Sequence, residues 1–340
     1  MSTPEQRVRP VRRSPADRRQ ASQQAELDTA ASIEPQEMLH IAGEVCRTGV
    51  LPARETTARV REQSHRVEEL GRDELYDLLT PAFVRKHPPQ SMQWLLDVGI
   101  MERLLPELSA TVALSQEAGR RHKDVWEHTK TVVWQAVPRP EVRWAAVLHD
   151  VGKVPTRKFL PNGKVSFLGH AEVGVRMLKR GVFKRIVFPP AVRERVEALV
   201  LYHLRPGQYD GSWTDAAVRR FGRDMGPVLR DLLDLGRADV TSRRPGKRRA
   251  CLRNISELSR RIRALEAEAS KPRPLPPGLG NLLMTELALP PGKHLAVLRD
   301  RLQALCEEGV LEGGLPAEAY VTAVREHDLL AGVTIMSGRK

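Results

Sequence analysis

The chain has 340 residues, 41% of them hydrophobic, enough for a sizeable core in two domains or in one elongated helical body. Lys and Arg number 55 against 42 Asp and Glu, a formal charge of +13, so the expected partner is polyanionic: nucleic acid, nucleotide or an acidic surface. Cys46, Cys251 and Cys306 form no C-x-x-C pair, no apolar run approaches the roughly 18 residues of a membrane span, and the Arg-rich N-terminus lacks an apolar signal core; these features argue against a disulfide framework, a structural zinc site, a membrane partner and export, and predict a cytoplasmic protein.

Residues 1–33 hold almost no large apolar side chains and are expected to form a disordered basic tail, either simply solvated or adding weak nucleic-acid affinity. From Pro35 to Leu108 apolar residues recur at helical spacing (Met38, Ile41, Val45; Leu75, Leu78, Leu79; Trp94, Leu95, Val98; Met101, Leu104, Leu105), and prolines punctuate them. This is a bundle of short helices with a packing or binding role, in which His40, His65 and His87 read as surface or capping residues.

The central stretch differs in kind, because five of the ten histidines (His122, His128, His149, His170, His203) fall within it. Lys123 to Val137 is predicted as a helix carrying His128 and stopped by Pro138 and Pro140; Glu141 to Val151 follows, with Pro140 at its start and Gly152 at its end. A short link makes the two antiparallel neighbours, and their crossing brings His128 toward His149 and Asp150. An imidazole and a carboxylate on adjacent residues at the end of an apolar helix fit a metal-ligand pair better than core packing. Successive helical residues point about 100° apart, so one ion reaches both only from beside the helix end.

Beyond this pair, Val154 to Leu168 carries an Asn162-Gly163 turn and reads as a small β-hairpin or an irregular loop. His170 opens another helix, Pro190 to Leu204 forms the next with His203 near its C-terminal end, and Trp213 to Phe221 another. Met225 to Thr241 is apolar until Asp239, a candidate further ligand. Arg237 to Arg263 then packs ten basic residues against two acidic ones, either a solvated helix face or a surface for an RNA backbone; it contains no aromatic for base stacking. After a Pro-rich break, residues 281–327 resume helical spacing as a small subdomain.

The order His, His-Asp, His, His, Asp resembles the HD superfamily of metal-dependent phosphohydrolases, with His128, His149, Asp150 and Asp239 on its four defining positions. The wording of Asp124-Val-Trp-Glu-His-Thr129, Val147-Leu-His-Asp-Val-Gly-Lys153, Gly169-His-Ala-Glu-Val-Gly174, Tyr202-His-Leu-Arg-Pro206 and Arg237-Ala-Asp-Val-Thr-Ser-Arg243 is similar to the C-terminal part of bacterial tRNA nucleotidyltransferases, and more faintly so is residues 94–108. The resemblance implies an all-α fold: an N-terminal neck-like helical region (34–108), an HD helical bundle (109–270) and a small C-terminal helical subdomain (271–340) that faces RNA.

The likeness also implies an activity and a cofactor. The chain has no Asp-x-Asp pair of a nucleotidyltransferase head, so hydrolysis of phosphomonoesters, 2′-nucleotides or 2′,3′-cyclic phosphates of nucleotides or RNA ends, tRNA among them, is expected in place of CCA addition. The alternative is a non-catalytic RNA-binding module. Two imidazoles and two carboxylates imply a divalent ion, with histidine ligation favouring Mn, Fe, Co, Ni or Zn over Mg. His170 and His203 are expected either to hold a second ion or to hydrogen-bond the phosphate. Lys153 is expected beside the phosphate, or else is a solvated helix-end lysine; Arg157, Arg205 and Arg243 are phosphate-binding candidates or plain surface arginines.

Overall fold

The structure, a computed structural model, describes residues 32–116, 124–162, 165–242, 244–270 and 274–335. The stretch 1–31 of the expected tail, together with His122, Lys123, Gly163 and Arg243, lies outside the described residues. The described chain is all-α apart from one two-stranded sheet, and it divides into two compact units at Ile262, inside a long helix spanning Pro245–Ala269.

In the first unit, helix α1 (Pro35–Thr48) starts on a proline, whose missing N–H costs nothing at the first position, and stops at Gly49. Gly49 adopts φ 76°, and its N–H reaches Val45 O at 2.8 Å, the left-handed stop that glycine takes most easily. The face carrying Met38, Leu39, Ala42, Val45 and Cys46 is buried against helices α2 (Pro81–Val84) and α3 (Pro88–Asp97). Helix α4 (Val125–Gln135) begins two residues later than the sequence predicts, because Asp124 is its N-cap and accepts from Glu127 N. Gln93 ties α3 to α4 by accepting from Trp126 Nε1 (3.1 Å) and Lys130 Nζ (2.8 Å).

Helix α5 (Pro140–Leu148) is the centre of this unit. Every residue from Val142 to Asp150 is buried, so the helix needs neighbours on every side. Those neighbours are α4, α7 (Pro190–Tyr202) and α8 (Leu229–Asp239). Trp144 fills one side against Tyr76, Phe83 and Phe188 and donates its Nε1–H to Thr80 Oγ1 at 2.9 Å. The one cation in the run, Arg143, is satisfied by the carbonyls of Val137 and Phe83, and burial holds its guanidinium below the ordinary value.

The sequence extends α5 to Val151 with Gly152 as its stop; the helix in fact ends at Leu148, and Gly152 has an ordinary φ of −67°. Its glycine is required by a close approach instead. A Cβ there would stand 2.0 Å from His170 O and 2.6 Å from Gly174 N, on the backbone of helix α6 (His170–Arg180). Between them lies the hairpin β1 (Lys158–Phe159) and β2 (Val165–Ser166), paired Lys158 with Ser166 and Phe159 with Val165, so of the two readings for this stretch the hairpin holds.

The second unit packs Leu279–Glu286, His294–Glu307 and Ala317–Glu326 around Leu283, Leu298, Leu302 and Tyr320. The Tyr320 hydroxyl donates to Pro274 O at 2.5 Å and accepts from Leu315 N at 3.1 Å, so this buried polar group is paired.

Gly152→Ala should therefore lower the stability of the first unit by about 1–3 kcal/mol or more, since rigid backbone must move. Gly246→Ala, which meets nothing within 4 Å, is the control and should be neutral or stabilise by up to ~1 kcal/mol. Thermal melts of the two variants check this; equal melting temperatures would refute the close-approach account.

Candidate metal centre

Three helices present their carbonyl ends to one point. His149 is the C-cap of α5, His203 is the C-cap of α7, and Asp239 is the last residue of α8. The partial negative charge of helix C-termini favours a cation there. His128 enters from α4 and His170 from the first position of α6.

The six side chains form two adjoining groups of donor atoms, His128, His149 and Asp239, and Asp150, His170 and His203; within each group the atoms lie within 4.8 Å of one another. The Asp150 carboxylate stands between them. Its Oδ2 is 3.4 Å from His128 Nε2 and 3.2 Å from His149 Nε2, while its Oδ1 is 3.5 Å from His170 Nε2 and 4.0 Å from His203 Nε2. Asp239 Oδ1 is 3.0 Å from His128 Nε2 and 3.9 Å from His149 Nε2. Lys153 closes the group by donating to Asp150 Oδ2 at 2.5 Å, with its ammonium 5.7 Å from the Phe167 ring centre.

Backbone carbonyls orient three of the imidazoles. His149 Nδ1 lies 2.8 Å from Ala146 O, His170 Nδ1 2.9 Å from Phe167 O and His203 Nδ1 2.7 Å from Val200 O. A carbonyl oxygen only accepts, so each Nδ1 carries a proton, and the rings of His170 and His203, kept neutral, offer a bare Nε2 to the centre. His170 Nε2 and His203 Nε2 then face each other at 3.1 Å with lone pairs toward the same space. The buried Asp150 Oδ1 beside them has no hydrogen-bond partner. Two opposed lone pairs and an orphaned carboxylate oxygen repel one another unless a cation sits among them, so the residues fit a divalent metal.

The electrostatics agree. Burial would raise the Asp150 carboxyl, but His149, the Lys153 ammonium and His128 hold it well below the ordinary value. Burial likewise opposes, and His128 and His149 outweigh, so that Asp239 is lowered to about 2. Against burial, the Asp150 and Asp239 charges raise His149. Burial lowers His170, and burial together with the charge of His149 lowers His203 to about 4, keeping both rings neutral. All of these donors except Asp239 are nearly closed to solvent; the Asp239 side chain is 25% exposed and marks the open side.

Arg157 lies with its guanidinium over Phe159, 5.3 Å from the ring centre, and that of Arg205 lies over Tyr202 and Phe221. Arg243 lies outside the described residues. Nothing in the sequence pattern marks Thr241 as a partner, yet its Oγ1 is 2.9 Å from His128 Nδ1, the contact that orients the fourth imidazole. Nor did it reveal the carbonyl tethers; their only trace is that His149 and His203 follow the last turn of a helix.

Residues 111–244 match the family model described as the HD domain. The chain is 34% identical over 262 residues to an A-adding tRNA nucleotidyltransferase of Deinococcus radiodurans, covering 74% of this chain and 56% of that protein. It is 37% identical over 209 residues to a CC-adding tRNA nucleotidyltransferase of Thermus thermophilus (59% and 42% covered). A multifunctional CCA protein of Teredinibacter turnerae is 32% identical over 179 residues (50% and 43%). The chain thus spans about half the length of the curated relatives it matches.

Chelator-treated protein should melt lower than untreated protein and recover on addition of Mn, Co or Ni, by about 2.7 kcal/mol at an ion concentration 100 times the dissociation constant. Thr241→Val should weaken that affinity about 10–100-fold by releasing His128. Titration by thermal shift measures both; a melting temperature indifferent to chelator and ions would contradict the fit.

Proposed function

We propose, from the premise that this chain carries an HD domain related to tRNA nucleotidyltransferases, that it is a metal-dependent phosphohydrolase acting on nucleotides or RNA ends. The observation that carries this reading is the convergence of four imidazole Nε2 atoms on a shared, partly unpartnered Asp150 carboxylate. His128, His149, Asp150 and Asp239 are the proposed ligands of one ion. The Asp150, His170 and His203 group favours a second ion over a direct phosphate contact by those two histidines. The imidazole-rich donor set suits Mn, Fe, Co, Ni or Zn better than Mg. Such ions, when bound, lower the pKa of a coordinated water and neutralise charge building on a phosphoryl oxygen.

The protein's own groups do the rest. Asp150 holds the two donor groups in register, and Lys153 fixes that carboxylate while carrying a positive charge beside the space where a phosphate would lie. The burial of His149, His170 and His203 excludes water from the far side, which leaves approach from the Asp239 side. Arg157, Arg205 and Arg243 are proposed as outer cations for the phosphate.

A second reading, RNA binding without chemistry, is favoured by the exposed Arg244, Lys247, Arg249, Arg253 and Arg260 on and before the long helix. Several arginines of the basic run are instead engaged within the protein: Arg237 with Asp234, Arg248 with Gln135, and Arg261 with Tyr209, Trp213 O and Asp215. The relatives' names, which concern tRNA, make a tRNA-like hairpin the RNA to test.

With Mn, Co or Ni added, the protein should hydrolyse at least one of a 2′,3′-cyclic nucleotide, a 2′-nucleotide or a phosphomonoester. Asp239→Asn, which removes a charged donor, should lower that turnover by about 100-fold or more. Hairpin affinity in the same variant should change by less than about threefold and keep its salt dependence, because the exposed arginines are untouched. No turnover with any ion, together with tight hairpin binding, would replace the hydrolase by the binding module.

A further inference from the structure

We propose that a cavity beside Asp239 is a nucleoside subsite, which holds the ribose and base of one nucleotide while the phosphate on that ribose lies against the His and Asp cluster. The cavity has a volume of about 380 Å³, within the range of small-molecule sites and near its lower end, the size for one nucleoside and not for a stack of bases. It shares His203 and Asp239 with the cluster, and Asp239 is the donor that solvent reaches. A ligand seated there therefore touches the cluster at its most exposed metal-ligand candidate.

The lining decides the chemistry of the ligand. Asp239 is the one charged side chain in the lining, so the cavity offers nothing to a second phosphate and fits the uncharged part of a nucleotide. Pro206, Gly207, Val240 and Ile255 supply flat apolar contact. Asn254 supplies direction: its Nδ2 donates to Tyr209 O at 3.2 Å, which fixes the amide and leaves Oδ1 as an acceptor for a base N–H. Cys251, Asn254 and Ile255 come from the long helix whose Arg249, Arg253 and Arg260 are exposed. That helix thus presents a neutral face to the cavity and cations outside it. A free nucleotide and the terminal nucleotide of an RNA share this chemistry, and the cations outside the cavity would engage only the latter.

The inference rests on the phosphohydrolase reading, but binding tests it independently. Cys251 lines the cavity and is partly exposed, Cys46 is buried, and Cys306 is replaced by serine so that Cys251 is the thiol left to react. In the metal-loaded protein, adenosine or cytidine should slow alkylation of Cys251 by iodoacetamide at least about tenfold, whereas inorganic phosphate slows it less than about twofold. An RNA hairpin protecting at far lower concentration than the nucleosides assigns the site to RNA ends; equal or weaker protection assigns it to free nucleotides. Cys251→Phe, which fills the cavity, should raise KM for a 2′,3′-cyclic nucleotide about tenfold or more and alter kcat/KM for p-nitrophenyl phosphate far less. Absence of nucleoside protection, or equal loss on both substrates, overturns the subsite. If the wild-type protein hydrolyses neither substrate, the hydrolase reading fails, while protection of Cys251 still decides whether nucleosides bind.

Discussion

The Asp150 carboxylate is 2% exposed and ionised, and a charge so buried is tolerated only when its surroundings answer it. One oxygen is answered by the Lys153 ammonium and by His128 and His149; the other has no hydrogen-bond partner and faces His170 and His203. The first half of this arrangement is an ion-pair network that stands without a ligand. The second half is a set of acceptors pointed at one another, which a cation completes. The site is therefore built around a single anion that serves two neighbouring groups of imidazoles.

The fold exists to hold that anion in place. Helix α5 is buried on all sides, so its end cannot shift without disturbing α4, α7 and α8 together. The contact of Gly152 with the α6 backbone brings His170 to the cluster at a separation no side chain would permit. The last donor, Asp239, is held through α8, where Arg139 and Arg195 pair with Asp231, and Arg139 and Arg237 pair with Asp234. The arginines of these pairs are partly exposed, where ion pairs add little net stability, so their value is positional. On the Asp239 side the same architecture stays open, and the neutral cavity beside it gives that opening a shape.

Helical periodicity made most of the helices legible, because a stripe such as Met38 and Val45 or the run Val142 to Leu148 is recognisable from spacing alone. The convergence of His128 with His149 and Asp150 was also legible, since two helices joined by a short proline-bearing link have little choice but to pack antiparallel. What spacing could not provide was contact between distant segments. The reason for Gly152 lies in His170 and Gly174, and the orientation of His128 lies in Thr241, more than a hundred residues away. Composition shows the basic run only as ten cations against two acidic residues, whereas in the fold Arg237, Arg248 and Arg261 are engaged by partners that only the folded chain supplies.

The central claim is that Asp150 is shared by two metal positions, and anomalous diffraction tests it most directly. Crystals of the full chain grown with Mn or Co, measured at the absorption edge of that metal, should show two peaks flanking Asp150, one bonded to the His128, His149 and Asp239 group and the other to the His170 and His203 group. No peak at either group, or ions found only on surface carboxylates, would contradict the account.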